Sequence, residues 1–252
     1  MIIALLTDFG LSDGFVGSVK GVIKTINPSA DIIDISHNVN SFDILEGALI
    51  LKASYSYFPK GTIFTVVVDP GVGSKRDAII VKTKDYFFVA PDNGILSLAL
   101  KNEKIEKIIN IQNEKFFLPR DNNTFHGRDI FAPVSAYISK GVPVELFGKE
   151  KNEILKIDIP RPEIKNGKIY GKIIKFDKFG NGITNIEDIP SFKTGEVKGI
   201  KIEKLANSFL EGEKEKLNII KGSFGFYELF VPLGSAKEIF KLKKEVEVVI
   251  QT

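Results

Sequence analysis

The sequence predicts a protein of two domains, an α/β domain with a largely parallel central sheet flanked by helices, followed by a smaller all-β barrel. Three observations favour this fold class. Strand and helix patterns alternate up to about residue 76, a pattern of two strands without a helix follows, and short strands and turns remain beyond about residue 150. We therefore expect the first domain at residues 1–150 and the barrel at residues 158–252, with a linker over residues 150–160.

Elements of the first domain begin in the order strand, helix, strand, helix, strand. The strands are short β-branched or apolar runs, and apolar residues recur at helical spacing in the helices. We predict strands over residues 2–6, 32–35 and 63–68. The first helix runs from Phe15 to Ile26 and is stopped by Asn27 and Pro28. The second helix is opened by Ser41 and Asp43 and is ended by residues 59–61. This succession is a βαβαβ unit with parallel strands.

A hairpin interrupts the alternation after residue 76. Residues 78–81 and 86–89 are two strand-like runs that are separated by Lys84 and Asp85, a connection too short for a helix. The rest of the domain is predicted to contain a short helix at residues 95–100, a strand at residues 107–111 and a helix at residues 131–138, with Asp129 placed to cap the last helix.

Short strands separated by turns follow in the second domain. This spacing is typical of a small β-barrel. We predict strands at residues 169–176, 199–203, 217–221, 228–232 and 246–250.

Composition excludes several classes of protein. The 252 residues are 43% hydrophobic, but no apolar run approaches the roughly 20 residues that a membrane span requires. The first residues lack the basic leader of a signal peptide, so we expect a cytoplasmic protein with no membrane partner. Cysteine is absent, which excludes disulfides, thiolate nucleophiles and zinc–thiolate sites. His37 and His126 are too few for a multi-histidine metal site, and we expect neither metal nor cofactor.

Charge is spread evenly along the chain. The net charge of +3 comes from 35 basic and 32 acidic residues that are interspersed, as in residues 101–107. Because a nucleic-acid footprint requires clustered basic residues, we expect no nucleic-acid partner. Abundant Lys, Glu and Ile with one Met and no Cys are typical of a thermophile protein.

Four polar segments follow strand-like runs in the first domain. Each alone has a structural explanation, because Asp8 and Asp129 are able to cap helices and residues 91–94 form an ordinary turn sequence. In an open α/β sheet, however, ligands bind in the crevice outside the carboxyl ends of the strands. The shared position therefore predicts one cleft that is lined by residues 7–10, 69–76, 90–94 and 124–129.

The glycine-containing segment after the third strand is not a P-loop. A P-loop requires glycine, four residues, Gly-Lys and then a helix whose N-terminus faces the phosphates. Here Lys75 follows Ser74, and a strand follows the segment. What remains at the strand end is the carboxylate of Asp69 and the guanidinium of Arg76.

Asp69, Arg76 and His126 are the candidate catalytic residues. Asp69 accepts hydrogen bonds and Arg76 is permanently cationic, so a water between them would be oriented and polarised. With the imidazole of His126 at the same point, the site would surround one water without any metal. The alternative is that Asp69 and Arg76 merely close the loop with a salt bridge. His37 lies just past a strand with no partner visible in the sequence, and we assign it a structural role.

Aromatic and amide side chains mark a candidate binding site in the barrel. Phe176 or Phe179 has the flat ring needed to stack on a purine, and Asn181 has the donor and acceptor needed to recognise its edge. The alternative is an exposed turn between two barrel strands. A second segment, which contains Ser223 and Glu228, leaves the same two possibilities open.

Five segments in this order resemble the S-adenosylmethionine hydroxide adenosyltransferases, a family related to the fluorinating and chlorinating enzymes. The resemblance covers nearly the whole chain, and its segments are Thr7-Asp8-Phe9-Gly10, Asp69-Pro70-Gly71-Val72-Gly73 with Arg76, Ala90-Pro91-Asp92-Asn93-Gly94, Thr124-Phe125-His126-Gly127-Arg128-Asp129, and Phe179-Gly180-Asn181 with Thr184-Asn185. It implies hydrolysis of S-adenosyl-L-methionine to adenosine and L-methionine. It also implies a homotrimer whose active sites lie between the first domain of one subunit and the barrel of the next.

The resemblance further implies roles for individual residues. The family's water-holding Asp, Arg and His fall on Asp69, Arg76 and His126. Halogenating relatives lack this His and Arg combination and have a serine at the position of Gly127, which argues against halide chemistry here. The substrate-binding residues expected from the resemblance and from the barrel segments are ribose-binding Asp8 with Asp13 nearby, methionine-binding Asp177, adenine-binding Asn181, and Phe179, Ser223 and Glu228.

Two other functions remain open at this point. A metal-dependent phosphatase or nucleotidase would use carboxylates as ligands for Mg²⁺ or Mn²⁺. Asp8, Asp13, Asp92 and Asp129 are available for that purpose. A non-catalytic nucleoside or nucleic-acid binding module would use the barrel instead.

Overall fold

The computed structural model describes residues 1–119 and 121–252. Two compact units make up this structure, Met1–Asp158 and Ile159–Thr252. The first unit combines helices with a sheet, and the second consists mainly of strands. Over the described residues, no helix has both the length and the apolar composition that crossing a bilayer requires.

A seven-stranded sheet forms the centre of the first unit in the described part of the chain. Its strands are β1 (Ile2–Thr7), β2 (Asp31–Ser36), β3 (Ile63–Val67), β4 (Ala78–Thr83), β5 (Phe87–Pro91), β6 (Ile105–Ile111) and β7 (Gly148–Glu150). The α-helices are α1 (Phe15–Ile26), α2 (Ile44–Ser54), α3 (Ser97–Leu100) and α4 (Ala132–Ser139). Short 3-10 segments occur at Tyr55–Tyr57, Glu114–Phe116 and Val144–Phe147.

The sheet is mixed, and the prediction of a largely parallel sheet was wrong. The strand order is β2-β1-β3-β5-β4-β6-β7. Parallel pairing joins β2, β1, β3 and β5, whereas β4 pairs antiparallel with β5 and β6, and β6 pairs antiparallel with β7. The cause is the tight turn at Lys84 and Asp85, because strands joined by so short a connection must run antiparallel. The predicted βαβαβ unit and the predicted hairpin are both confirmed.

Helices cover both faces of the sheet. Along β1, Ile3 and Leu5 belong to one apolar core, and Ala4 and Leu6 belong to another, as expected for side chains that alternate across a strand. Helices α1 and α4 pack on the first core, and helices α2 and α3 pack on the second. Strands β1, β3 and β5 are buried along most of their length, so the polar side chains near them lie at the strand ends.

Helix α4 begins differently from the prediction, which placed Asp129 as its cap. A π-helix, Gly127–Phe131, leads directly into α4, and no side chain of the described residues caps either N-terminus. Asp129 lies inside the π-helix and is fully buried, and it accepts hydrogen bonds from Nε and Nη2 of Arg128 at 2.6 and 3.0 Å. The carboxylate is therefore used as a partner for a cation. Such π-helical turns are frequent at functional sites.

Residues 159–252, all of which are described, form a closed barrel, as the sequence predicts. The elements are β8 (Glu163–Lys165), β9 (Lys168–Phe176), β10 (Gly182–Thr184), β11 (Thr194–Val197), β12 (Ile200–Ala206), a 3-10 segment Phe209–Glu211, β13 (Leu217–Lys221), β14 (Tyr227–Phe230), α5 (Ala236–Ile239) and β15 (Glu247–Gln251). The ring order is β10-β14-β13-β12-β11-β15-β9, and the pairing of β9 with β10 closes it. Strand β8 extends the sheet beside β9. Strands β8, β10 and β11 were not predicted, because three or four residues are too few to show a period of two.

Candidate active site

The segment after β3 brings a carboxylate and a guanidinium together. Nε of Arg76 lies 3.0 Å from both carboxylate oxygens of Asp69, and Nη2 of Arg76 also donates to Oδ2 of Asp69. The exposed fractions of the two side chains are 6% for Asp69 and 11% for Arg76. This is a forked and largely buried ion pair, which gives the guanidinium a fixed orientation.

His126 extends the ion pair. Its Nδ1 lies 2.8 Å from Nη2 of Arg76, and the residue is 8% exposed. Because a guanidinium can only donate hydrogen bonds, Nδ1 of His126 is the acceptor, and the neutral imidazole carries its proton on Nε2. The ring of Phe131 covers Arg76, with the guanidinium carbon 5.3 Å from the ring centroid. The structure thus joins Asp69, Arg76 and His126 in one chain of hydrogen bonds.

Asn93 holds the end of β3 in place. Its Nδ2 donates to the carbonyl of Val68 at 2.8 Å, and its Oδ1 accepts from the backbone N–H of Ile95 at 3.2 Å. Because Val68 directly precedes Asp69, Asn93 positions the backbone from which this carboxylate projects. From the sequence alone Asn93 belongs to an ordinary turn, and its place just after a strand was the signal available.

Asp8 and Asp13 follow β1 and differ in their surroundings. Asp8 is half-buried, and its Oδ2 accepts a hydrogen bond from the backbone N–H of Phe42 at 2.9 Å. Among the residues that the structure describes, nothing donates to Oδ1 of Asp8, which leaves an acceptor for a ligand hydroxyl. Asp13 is exposed, and the hydroxyl of Ser12 lies 3.4 Å from it.

His37 is buried, and it is the centre of a chain of polar contacts that the sequence did not reveal. Its Nδ1 lies 2.8 Å from the hydroxyl of Thr7, and its Nε2 lies 3.0 Å from the carboxylate of Asp34. Nζ of Lys20 contacts the same carboxylate at 2.6 Å. These contacts agree with a structural role for His37, because they tie the end of β1, from which Asp8 projects, to the end of β2.

Aromatic rings press against Gly127, the residue that follows His126. Phe9, Phe15 and Phe125 form edge-to-face contacts, with ring centroids 5.2 to 6.2 Å apart. A Cβ atom on Gly127 would lie 2.8 Å from the ring of Phe9 and 3.1 Å from the ring of Phe125. Since interiors are close-packed, position 127 has no room for a side chain as long as Phe9 keeps its place.

We expect the Gly127→Ala variant to be destabilised by about 1–3 kcal/mol, because its methyl group would force the Phe9 ring out of the aromatic cluster. Urea unfolding measures this loss. The matched control adds Gly127→Ala to a Phe9→Leu background, where the clashing ring is absent and the loss should be smaller. Equal losses in both backgrounds would show that the Phe9 ring is not what excludes a side chain.

A cavity of about 750 Å³ lies in the barrel unit. The five barrel residues expected to bind substrate all line it, and they are Asp177, Phe179, Asn181, Ser223 and Glu228. Phe209, Leu233 and Ser235 also line it and were not identified from the sequence. They were missed because they lie in turns and short helical segments, where no periodic pattern marks a buried face.

Asp177 is engaged by the turn between β9 and β10. Its Oδ1 accepts from the backbone N–H groups of Phe179 and Asn181 at 2.9 and 2.8 Å, and its Oδ2 accepts from Nδ2 of Asn181 at 2.9 Å. These bonds fix the amide of Asn181, which is 6% exposed, with its oxygen available as an acceptor. Phe179 stands at the cavity rim and is 73% exposed.

Glu228 is a second carboxyl group in the cavity, and its surroundings differ from those of Asp177. It is 5% exposed, and within the described residues its carboxylate has no hydrogen-bonding or ionic partner. Burial, followed by the neighbouring charge of Asp177, raises the pKa of Glu228 to about 7. The charge state of this group therefore changes near neutral pH.

The carboxylates that a metal-dependent phosphatase would need do not come together. Asp92 accepts from Nζ of Lys151 at 2.6 Å, and Asp129 is held by Arg128. In the part of the chain that the structure describes, no group of three or more His, Cys, Asp or Glu side chains is arranged to hold a metal ion. A metal-dependent phosphatase would therefore have no set of metal ligands among the described residues.

Together, the two units and their polar sites define a two-domain enzyme. Residues 3–148 match the SAM hydroxide adenosyltransferase N-terminal domain, and residues 171–249 match the SAM hydroxide adenosyltransferase C-terminal domain. The chain belongs to the SAM hydroxide adenosyltransferase family. The family assignment made from the five sequence segments is confirmed.

Several relatives are similar over most of their length. A protein from Methanocaldococcus jannaschii is 36% identical over 98% of this chain and 95% of its own, and one from Thermus thermophilus is 32% identical over 96% of each. Both are named (R)-S-adenosyl-L-methionine hydrolase. A fluorinase from Actinoplanes is 27% identical over 77% of this chain and 74% of its own. The crystal structure of a conserved protein from Thermotoga maritima has 38% identity and a TM-score of 0.90 over 100% of both chains.

Proposed function

We propose that the protein hydrolyses S-adenosyl-L-methionine to adenosine and L-methionine. The observation that carries the proposal is the buried chain of Asp69, Arg76 and His126 in a protein 32 to 36% identical, over nearly its whole length, to enzymes named for this hydrolysis. The name of these relatives specifies the (R) configuration, and we propose the same preference here.

The chemistry of this substrate requires a nucleophile and little else. Methionine leaves a sulfonium centre as a neutral thioether, so displacement at the ribose C5′ needs no general acid. A substrate of net charge +1 and one water give two products with no net charge, adenosine and zwitterionic methionine, and one proton is released. The enzyme must therefore generate hydroxide and hold it in line with the bond between C5′ and sulfur, where positioning supplies much of the acceleration.

The three residues of the first unit divide this task. Arg76 is held from two sides by Asp69 and His126, so its positive charge faces the forming hydroxide without reorganisation. Asp69 orients the water by accepting one of its hydrogens. The proton on Nε2 of His126 supplies a further donor to the nucleophile.

The remaining site residues bind the substrate. The free oxygen of Asp8 accepts a hydrogen bond from the ribose diol, by the geometry that acidic residues use in dinucleotide sites, and Asp13 lies in the same loop. The amide oxygen of Asn181 accepts from the adenine amino group, and Phe179 at the rim stacks on the ring. Asp177 and Ser223 contact the methionine part.

We also propose that the enzyme is a cytoplasmic homotrimer. The support is the family resemblance, which implies active sites that are shared between the first domain of one subunit and the barrel of the next. Light scattering on the purified protein tests the assembly, and a particle with the mass of one chain would refute it.

Incubation of the purified protein with the separated (R) and (S) epimers of S-adenosyl-L-methionine tests the reaction. We expect adenosine and methionine in equal amounts from the (R) epimer, with release of one proton per turnover. If neither epimer yielded adenosine, the proposal would be overturned. Turnover that a chelator abolishes would favour metal-dependent chemistry instead.

A further inference from the structure

Glu228 is an acidic group that the protein itself leaves unsatisfied. It lines the barrel cavity and is 5% exposed, yet within residues 1–119 and 121–252 nothing donates to its carboxylate. Asp177 lines the same cavity, but its oxygens are engaged by the turn. A buried carboxylate without a partner is costly, so either a proton or a ligand must compensate it.

The strand pairing fixes the direction of the Glu228 side chain. Its neighbours on β14, Tyr227 and Leu229, pack in the barrel core, so Glu228 faces the opposite side of the strand. Gly222 packs directly against it, because a Cβ atom there would lie 2.6 Å from the carboxyl group. The backbone turn thus holds the carboxyl group at the cavity wall.

Lysines near Glu228 do not compensate its charge. Lys221 lines the cavity, but its Nζ donates to the carbonyl of Glu187 and lies 4.9 Å from the ring centroid of Tyr227. Lys175 lies on the second strand from Glu228, across Ile183, and its ammonium is not among the groups that set the pKa of Glu228. Burial and the charge of Asp177 prevail and raise the pKa of Glu228 to about 7.

We propose that Glu228, beside Asp177, binds the α-ammonium group of the methionine part of the substrate. The inference rests on the proposed function, which supplies a ligand with such a group. An ammonium is a compact cation with three donors, so it satisfies the carboxylate and also relieves the repulsion between Glu228 and Asp177. The adenine amino group is a neutral donor and would leave that repulsion in place. Glu228 therefore selects ligands that retain the amino acid part.

Two nucleosides that differ in the ammonium group test this role. S-adenosylhomocysteine carries the group and has a neutral thioether that is not displaced, whereas 5′-methylthioadenosine has the same nucleoside and thioether without the amino acid part. By calorimetry, Glu228→Gln should weaken binding of S-adenosylhomocysteine at least about tenfold and leave binding of 5′-methylthioadenosine unchanged. Glu247→Gln, which removes an exposed barrel carboxylate, is the matched control and should change neither.

The pH dependence of binding has a definite sign. Protonated Glu228 cannot pair with an ammonium, so the affinity of the wild type for S-adenosylhomocysteine should fall as the pH is lowered through about 7. Affinity for 5′-methylthioadenosine should stay flat, and the Glu228→Gln variant should be flat for both nucleosides. Equal losses for both nucleosides, or no loss, would overturn the role of Glu228. A wild type that binds S-adenosylhomocysteine through Glu228 but forms no adenosine would refute the hydrolysis and support the binding role.

Discussion

Arg76→Ala should lower kcat for S-adenosyl-L-methionine by about a thousandfold and leave the affinity for S-adenosylhomocysteine nearly unchanged. The guanidinium is the middle of the chain, bound to Asp69 on one side and to His126 on the other. Removal of the guanidinium eliminates the charge that stabilises hydroxide. It also eliminates the contacts with Asp69 and His126. Single-turnover kinetics and calorimetry separate the effect on chemistry from the effect on binding.

Arg76→Lys is the matched control, because it keeps the charge and loses the fork. One ammonium cannot contact both oxygens of Asp69 and also donate to His126 with the geometry of a guanidinium, so we expect an intermediate kcat. Circular dichroism shows whether each variant is folded. If Arg76→Ala raised KM and kept kcat, Arg76 would be a binding residue and the proposed role would be wrong.

Local patterns predicted the first unit well and its sheet poorly. The apolar run of β1 and the helical spacing of α1 are properties of neighbouring residues, and both elements appear in the structure where the pattern placed them. The hairpin of β4 and β5 makes the sheet mixed, and how the sheet continues depends on which strand is the second partner of β4. That partner is β6, and the pairing joins residues 22 to 31 positions apart, which no local period records.

For the candidate site, too, some features could be predicted from the sequence and others could not. The sequence predicted that Asp69, Arg76 and His126 lie together because strand ends converge in space, and the three side chains are in contact in the structure; their catalytic roles stay a prediction. The engagement of Asp177 by its own turn and the isolation of Glu228 depend on hydrogen bonds and burial that appear only in the folded chain. For Asp129, the sequence motif alone was misleading. Its position suited a helix cap, but in the structure its carboxylate pairs with Arg128.

Lys151→Met should destabilise the protein by about 3–5 kcal/mol, because it leaves the buried carboxylate of Asp92 without its cation. Nζ of Lys151 lies 2.6 Å from Oδ2 of both Asp77 and Asp92, and the Asp92 side chain is 2% exposed. Asp92 also accepts a hydrogen bond from the backbone N–H of Leu155 at 2.8 Å. Asp77, Asp92 and Lys151 therefore hold residues 151–155 against the ends of β4 and β5. Urea unfolding at neutral pH measures the loss.

The pH dependence and a second variant separate this charge effect from lost packing. The hydrogen bond from Lys151 holds the pKa of Asp77 below its ordinary value of 3.8, so Asp77 contributes stability above that value and loses it as the pH falls through the lowered pKa. In Lys151→Met this acid-side loss should disappear, because the lowered pKa returns toward 3.8. Adding Asp92→Asn to Lys151→Met should recover part of the stability, since it removes the uncompensated buried charge. Additive losses in the double variant would mean that the methylenes of Lys151, and not its ion pairs, hold this part of the fold together.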